Sequence, residues 1–85
     1  RISCGMRAGP GAVHQVEQRD GVLHCQVIGG GDACGICGSG VLDAVAAALD
    51  LGAILPSGRL RAAGTNITLA AGVALTQRDI RELQL

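Results

Sequence analysis

None of the 85 residues is Phe, Tyr or Trp. A chain of this length already has little interior relative to its surface. Its core must therefore come from ten Leu, seven Val, six Ile and small Ala. These residues can fill only a thin layer. The reading at this point is a single small unit, spanning 1–85, whose core would gain from a partner surface, a metal or the rest of a longer chain.

Charge narrows the classes of partner. Seven arginines balance seven acidic residues, there is no Lys, and the arginines are dispersed between Arg1 and Arg81. With no aromatic ring to stack a base and no basic stripe, nucleic-acid binding is not expected. The apolar run Val41–Leu51 is interrupted by Asp43 and Asp50, so no membrane span is expected. No basic start followed by an apolar stretch marks a signal peptide, which makes a cytoplasmic location the expectation. "RISCGMRAG" reads as the middle of something and "TQRDIRELQL" ends within a helical pattern. The chain is therefore expected to be a fragment of a larger protein, and its thin core and cut ends are compatible with self-association.

Along the chain, an extended stub over 1–6 leads through Gly9-Pro10-Gly11 to two strands, 12–17 and 22–28. Asp20-Gly21 between them is a strong signal for a two-residue hairpin turn. Val22, His24, Gln26 and Ile28 share one face of the second strand, while Leu23, Cys25 and Val27 form an apolar one. The first strand alternates imperfectly, with Val13 and Glu17 bracketing Val16. Residues 29–40 read as loop. A helix over 39–51 has Ser39 as its N-cap, Leu42, Val45 and Leu49 as its apolar stripe, and Gly52 as its stop. Asp43 and Asp50 look like its solvated face. Pro56-Ser57-Gly58 marks a turn, and short strands at 67–69 and 73–75 flank Ala71-Gly72. Thr76, three residues before Asp79, starts a second helix with a capping-box pattern. The order is that of an α+β layer, a small antiparallel sheet with two helices.

The chemistry, if any, lies in "GGGDACGICGSGVLDAVAAALDLG", residues 29–52. Backbone N–H groups at a helix start attract anions, so Gly38, Ser39 and Gly40 are candidate phosphate contacts. The stricter patterns fail, because Gly-Lys-Ser/Thr needs a Lys and the match to a dinucleotide fingerprint is weak. Ser39 sits in Cys-Gly-Ser-Gly-Val, which is not a nucleophile elbow. The competing reading is that the glycines make tight turns and let the helix pack close to its neighbour. Cys34 and Cys37 have the CxxC spacing that lets two thiolates share a zinc ion or exchange a disulfide. A structural zinc site normally needs a second such pair, however, and Cys4 and Cys25 are far apart in sequence. His14 and His24 read as ordinary strand residues. A free-standing zinc-binding or thiol-redox module is the alternative to a structural role, and no carboxylate pair or catalytic triad is present.

Taken in order and spacing, "RISCGMRAGPGAV", "GICGSGVLDAVAAAL", "LPSGRL" and "LTQRDIRELQL" resemble one family. They are similar to the carboxy-terminal, actin-like ATPase (ASKHA) region of the reductive activators of corrinoid proteins. The resemblance covers nearly the whole chain. It implies a subdomain of an actin-like ATPase domain, in a parent that also carries a ferredoxin-like domain with a 2Fe–2S cluster. It further implies that the parent is an ATP-dependent reductive activase that uses ATP and Mg to drive reduction of cob(II)alamin to cob(I)alamin on a partner corrinoid protein. The fragment alone would be non-catalytic and would hold no cofactor. It would pack against the rest of its parent chain, with Gly38, Ser39 and Gly40 near the nucleotide cleft. Cys4 and Cys37 match cysteines of the family's usual strings, whereas Cys34 does not, which makes the CxxC look accidental.

Overall fold

The computed structural model describes residues 2–83. Its elements run β1 (Ala12–Arg19), β2 (Val22–Val27), β3 (Gly35–Ile36), α1 (Gly38–Leu51), β4 (Ile67–Ala70), β5 (Val73–Leu75) and α2 (Gln77–Leu83). Among these residues no helix is long and apolar enough to cross a membrane.

The first hairpin forms as the sequence requires. Asp20 and Gly21 take φ of 53° and 78°, the two positive values that let a two-residue turn match the twist of its strands. The Gln18 side chain accepts the Gly21 N–H at 3.0 Å and secures the turn. Opposite Cys25 lies Val16, and opposite Leu23 lies Gln18. The irregular pattern of β1 has a definite cause. Between the pairs Val13/Val27 and Gln15/Gln26, β1 advances two residues while β2 advances one. This bulge at His14 resets the alternation, so Val13 and Val16 are both buried although three residues apart.

Within the stretch expected to be loop, Gly35 and Ile36 form a short third strand. It pairs in parallel with Ala12 and Val13, giving the order β2-β1-β3. On its other side, the Ile36 N–H donates to the Cys4 carbonyl and the Met6 N–H donates to the Ile36 carbonyl, each at 2.9 Å. The amino-terminal stub is not extended throughout: the Gly5 N–H donates to the Ile2 carbonyl at 3.0 Å and closes a turn over Ser3-Cys4, after which Gly5 bridges to Ile36; Arg1 lies outside the described residues. The α+β class holds, with one strand more than expected and parallel pairing at that edge. No side chain fits at Gly35, where a Cβ would lie 2.6 Å from the Cys4 carbonyl oxygen.

Helix α1 starts at Gly38 with Cys37 as its N-cap residue, correcting the assignment of Ser39 to that position. Gly52, in the left-handed conformation, ends it, and the Arg61 Nε donates to the Gly52 carbonyl. The buried face is Gly40, Val41, Ala44, Val45, Ala47 and Ala48. Leu42 and Leu49 are 64 % and 42 % exposed, so of the expected stripe only Val45 is buried. The cause is close packing: a Cβ at Gly40 would sit 2.1 Å from the Val13 carbonyl oxygen. Small residues must face β1 at that separation, and the bulky Leu42 and Leu49 are turned outward.

Beyond Val13, β1 has no strand on its second edge among the described residues, and α1 supplies side-chain partners there. Ser39 Oγ donates to the His14 carbonyl at 3.2 Å. The Val16 N–H donates to Asp43 Oδ2 at 3.3 Å, and Gln18 Nε2 donates to Asp50 Oδ2 at 2.8 Å. Asp50 is exposed and Asp43 half-buried, so the expected solvated face holds for Asp50, but both carboxylates also bond to β1.

The β4–β5 hairpin and α2 complete the molecule. β4 and β5 form a separate two-stranded antiparallel sheet whose inward side chains, Ile67, Leu69, Val73 and Leu75, join the core. The capping box forms as expected, with the Asp79 N–H donating to Thr76 Oγ1 and the Thr76 N–H donating to Asp79 Oδ2, both at 3.0 Å. The continuation of this helix through Gln84 and Leu85 lies outside the described residues.

Candidate functional site

The glycine-rich entry to α1 is where sequence placed the chemistry. Cys37, extended at φ −93° and ψ 174°, ends β3 and turns the chain into the helix. Its side chain is buried, 3 % exposed. The sulfur lies 3.5 Å from Ser39 Oγ and donates to the Val13 carbonyl at 3.5 Å. The Ser39 hydroxyl and the Gly40 backbone N–H favour a thiolate strongly enough to outweigh burial, so the Cys37 thiol is held below its ordinary value. Helix starts lower thiol pKa in this way. The three glycine-turn candidates then part company. Gly40 is sealed against β1, and the Ser39 hydroxyl is occupied by His14. Gly38 is exposed, with open space where a Cβ would point.

The CxxC does not assemble. Cys34 and Cys37 flank the two-residue strand β3, and residues three apart on a strand face opposite sides. Cys34 is exposed and lies against Asp32 and Gly11, whereas Cys37 is turned into the core. Among the described residues no group of three or more His, Cys, Asp or Glu side chains is placed to hold a metal. Cys25 donates to the Leu69 carbonyl at 3.2 Å, and burial pushes its thiol up. Cys4 donates to the Gly72 carbonyl at 3.8 Å. These two thiols tie the β4–β5 hairpin to the rest. His14 sits on the bulge of β1, and His24 lies on the exposed face of β2.

Sequence reasoning found the Thr76–Asp79 cap but missed its second role. Asp79 is 2 % exposed, and its carboxylate also accepts the Ser3 N–H and the Ser3 hydroxyl, each at 2.9 Å. Burial alone would raise this carboxyl. Hydrogen bonds from the Thr76 and Ser3 backbones and from both hydroxyls outweigh that effect and hold it below the usual carboxylate value. The only local signal was an Asp where a capping box usually carries Glu; the contact with Ser3 spans 76 residues of sequence.

With this geometry in view, the comparisons assign the chain. A family model described as the C-terminal domain of RACo, the ASKHA domain, matches residues 1–85. Among solved structures, one titled "Reductive activator for corrinoid,iron-sulfur protein" is similar at 28 % identity and a TM-score of 0.83. The match covers 96 % of this chain and 16 % of that one. A search of curated proteins gives no match. The chain belongs to the family of RACo C-terminal, ASKHA domains.

Proposed function

We propose that this chain is a non-catalytic subdomain of an ATP-dependent reductive activator of corrinoid proteins, with the entry to α1 beside the nucleotide cleft. The carrying observation is the family match over residues 1–85, supported by the likeness to a solved reductive activator. In this reading a parent chain carries a 2Fe–2S cluster and uses ATP and Mg to reduce cob(II)alamin to cob(I)alamin on a corrinoid partner. What the described residues contribute is a rigid wall. Gly40 locks α1 to β1, Ser39 holds the His14 carbonyl, and the open side at Gly38 leaves backbone accessible at a helix start. Such a position suits a polyphosphate approaching the positive end of the helix.

The test uses the complete polypeptide that carries this stretch. Gly38→Val adds bulk on the open side without meeting any neighbour within 4 Å of the new Cβ. The expected result is at least tenfold weaker ATP binding by calorimetry, with an unchanged circular dichroism spectrum and slower ATP-dependent formation of the cob(I)alamin absorbance on the partner. ATP affinity identical to the parent's would remove Gly38 from the cleft. Absence of any ATP-dependent corrinoid reduction by the unsubstituted protein would remove the activator reading.

A further inference from the structure

The tip of the β1–β2 hairpin carries a reactive pair that plays no part in that reading. Asp20-Gly21 is the one place in the chain where an Asp or Asn precedes Gly. Such a pair can react with itself. The Gly nitrogen reaches the Asp side-chain carboxyl by closing a five-membered ring, and Gly has no Cβ to obstruct the approach. Both residues are exposed, and the Asp20 carboxyl has no bonded partner among the described residues. Around Gly21 the space is open: a Cβ there would meet only Leu51 Cδ1, at 4.0 Å.

The same hairpin shows what holds the pair back. The attacking atom is the Gly21 nitrogen, and its N–H donates to Gln18 Oε1 at 3.0 Å. The other end of that side-chain amide is tied down, with Gln18 Nε2 donating to Asp50 Oδ2 on α1 at 2.8 Å. Gln18 is therefore a bolt between helix and turn. It engages the nitrogen and cannot swing away without breaking its bond to Asp50. Closing the ring rotates the Asp20–Gly21 peptide toward the Asp20 side chain, and a turn pinned through Gly21 resists that rotation.

We infer that Asp20 is a site of spontaneous isoaspartate formation whose rate is held down by the Gln18 bolt. In the first step the Gly21 nitrogen forms a bond to Asp20 Cγ, and the side-chain hydroxyl leaves with the amide proton as water. Water then opens the cyclic imide at the original backbone carbonyl, so the chain now runs through the side chain and the former backbone carbonyl becomes a free carboxylate. One water is lost and one regained, and the net change is an isomerisation. The product has one more backbone atom in the turn, so a two-residue connection no longer closes Arg19 against Val22 in register. The freed carboxylate is the group that an isoaspartyl carboxyl methyltransferase takes as its substrate. The inference does not rest on the corrinoid reading, and an intramolecular reaction needs no partner on this face.

The test ages the complete polypeptide, its variants and a free peptide spanning residues 18–23 in one buffer. Isoaspartate is counted by methyl transfer with an isoaspartyl methyltransferase and located at position 20 by peptide mapping. The free peptide is expected to convert fastest and the parent slowest. Gln18→Ala should convert about fivefold faster than the parent, the factor that about 1 kcal/mol of lost hydrogen bonding is worth. Asp50→Ala removes the anchor but keeps Gln18 and both turn residues, so it should also outpace the parent and keeps the bolt testable if Gln18→Ala loosens β1. Glu17→Ala, which breaks only the exposed pair with Arg19, should match the parent. No isoaspartate at position 20 in the parent once the free peptide has converted overturns the inference. So do parental rates in both Gln18→Ala and Asp50→Ala, or an equal acceleration by Glu17→Ala, which would assign the effect to general loosening of the hairpin.

Discussion

The two halves of this molecule are held together by different physics. In residues 12–51, backbone meets backbone: β3 pairs with β1, and α1 lies so close to β1 that a Cβ at Gly40 would overlap the Val13 carbonyl. In residues 52–83, the attachments are side chains reaching across. Asp79 takes hold of Ser3, Cys25 and Cys4 reach the β4–β5 hairpin, and Gln77 bonds the Leu60 N–H and the Gly58 carbonyl at 2.7 and 2.9 Å. A chain without aromatic residues cannot make both halves cohere by bulk alone. It substitutes close approach in one half and directed polar bonds in the other. Damage at the Gly40 contact should therefore be steric and insensitive to pH, and damage at the Asp79 tie should be electrostatic and sensitive to it.

The largest effect is expected at Gly40. Gly40→Val forces a branched side chain into the Val13 carbonyl, and neither partner is the flexible end of a side chain that can swing away. Overpacking of a rigid contact costs about 3 kcal/mol or more, which for so small a core is enough to leave the chain largely unfolded. Urea denaturation followed by circular dichroism reads this directly. A midpoint equal to that of the parent would show that α1 has room to move away from β1.

Asp79 tests the other half. Asp79→Ala removes the cap of α2 and both Ser3 bonds, for an expected loss of about 2–3 kcal/mol. Ser3→Ala should lose about 1 kcal/mol. The pH dependence has a definite sign. The Asp79 carboxyl is held below its usual value in the folded state, so the folded chain binds fewer protons than the unfolded one. Its contribution is complete above the unfolded value of about 3.9 and fades as pH falls through the lower folded value. Stability measured from pH 6 downward should drop more steeply in the parent than in Asp79→Asn. Parallel curves would mean that Asp79 is not the acid-sensitive tie.

What could be read in the sequence follows the same division. Asp20-Gly21 and Thr76 to Asp79 were legible because each is a local device, complete within a few residues, and both formed as read. The third strand was not: two residues, one of them Gly, have no periodicity to detect, and only pairing with Ala12–Val13 on one side and Cys4–Met6 on the other makes them a strand. The Ser3–Asp79 tie is invisible for the opposite reason, since its partners lie near the two ends of the chain. At the candidate site, the glycines were readable as either a phosphate cradle or a packing device. The contact at Gly40 decides the second for that residue and leaves Gly38 as the open one. The CxxC misled because spacing alone does not say whether the residues lie on a helix or a strand, and parity on a strand separates the two sulfurs.

The smallest expected effect tests why α1 turns its largest residues outward. Its sequence offers two stripes, one through Leu42, Val45 and Leu49 and another through Val41, Ala44, Val45 and Ala48, and hydrophobicity alone favours the first. The structure chooses the second because only small residues tolerate the separation that Gly40 imposes. Leu42→Gln should therefore change stability by no more than about 0.5 kcal/mol, as at an ordinary surface position, and should improve solubility by interrupting an apolar strip. Urea midpoints of Leu42→Gln and Val41→Gln, compared side by side, separate the two stripes. If Leu42→Gln were the more damaging, α1 would be rotated about its axis relative to the arrangement described, and Gly40 would no longer face Val13. The bonds from Asp43 and Asp50 to β1 would be lost with it, because the rotation that buries Leu42 carries both carboxylates away from that strand.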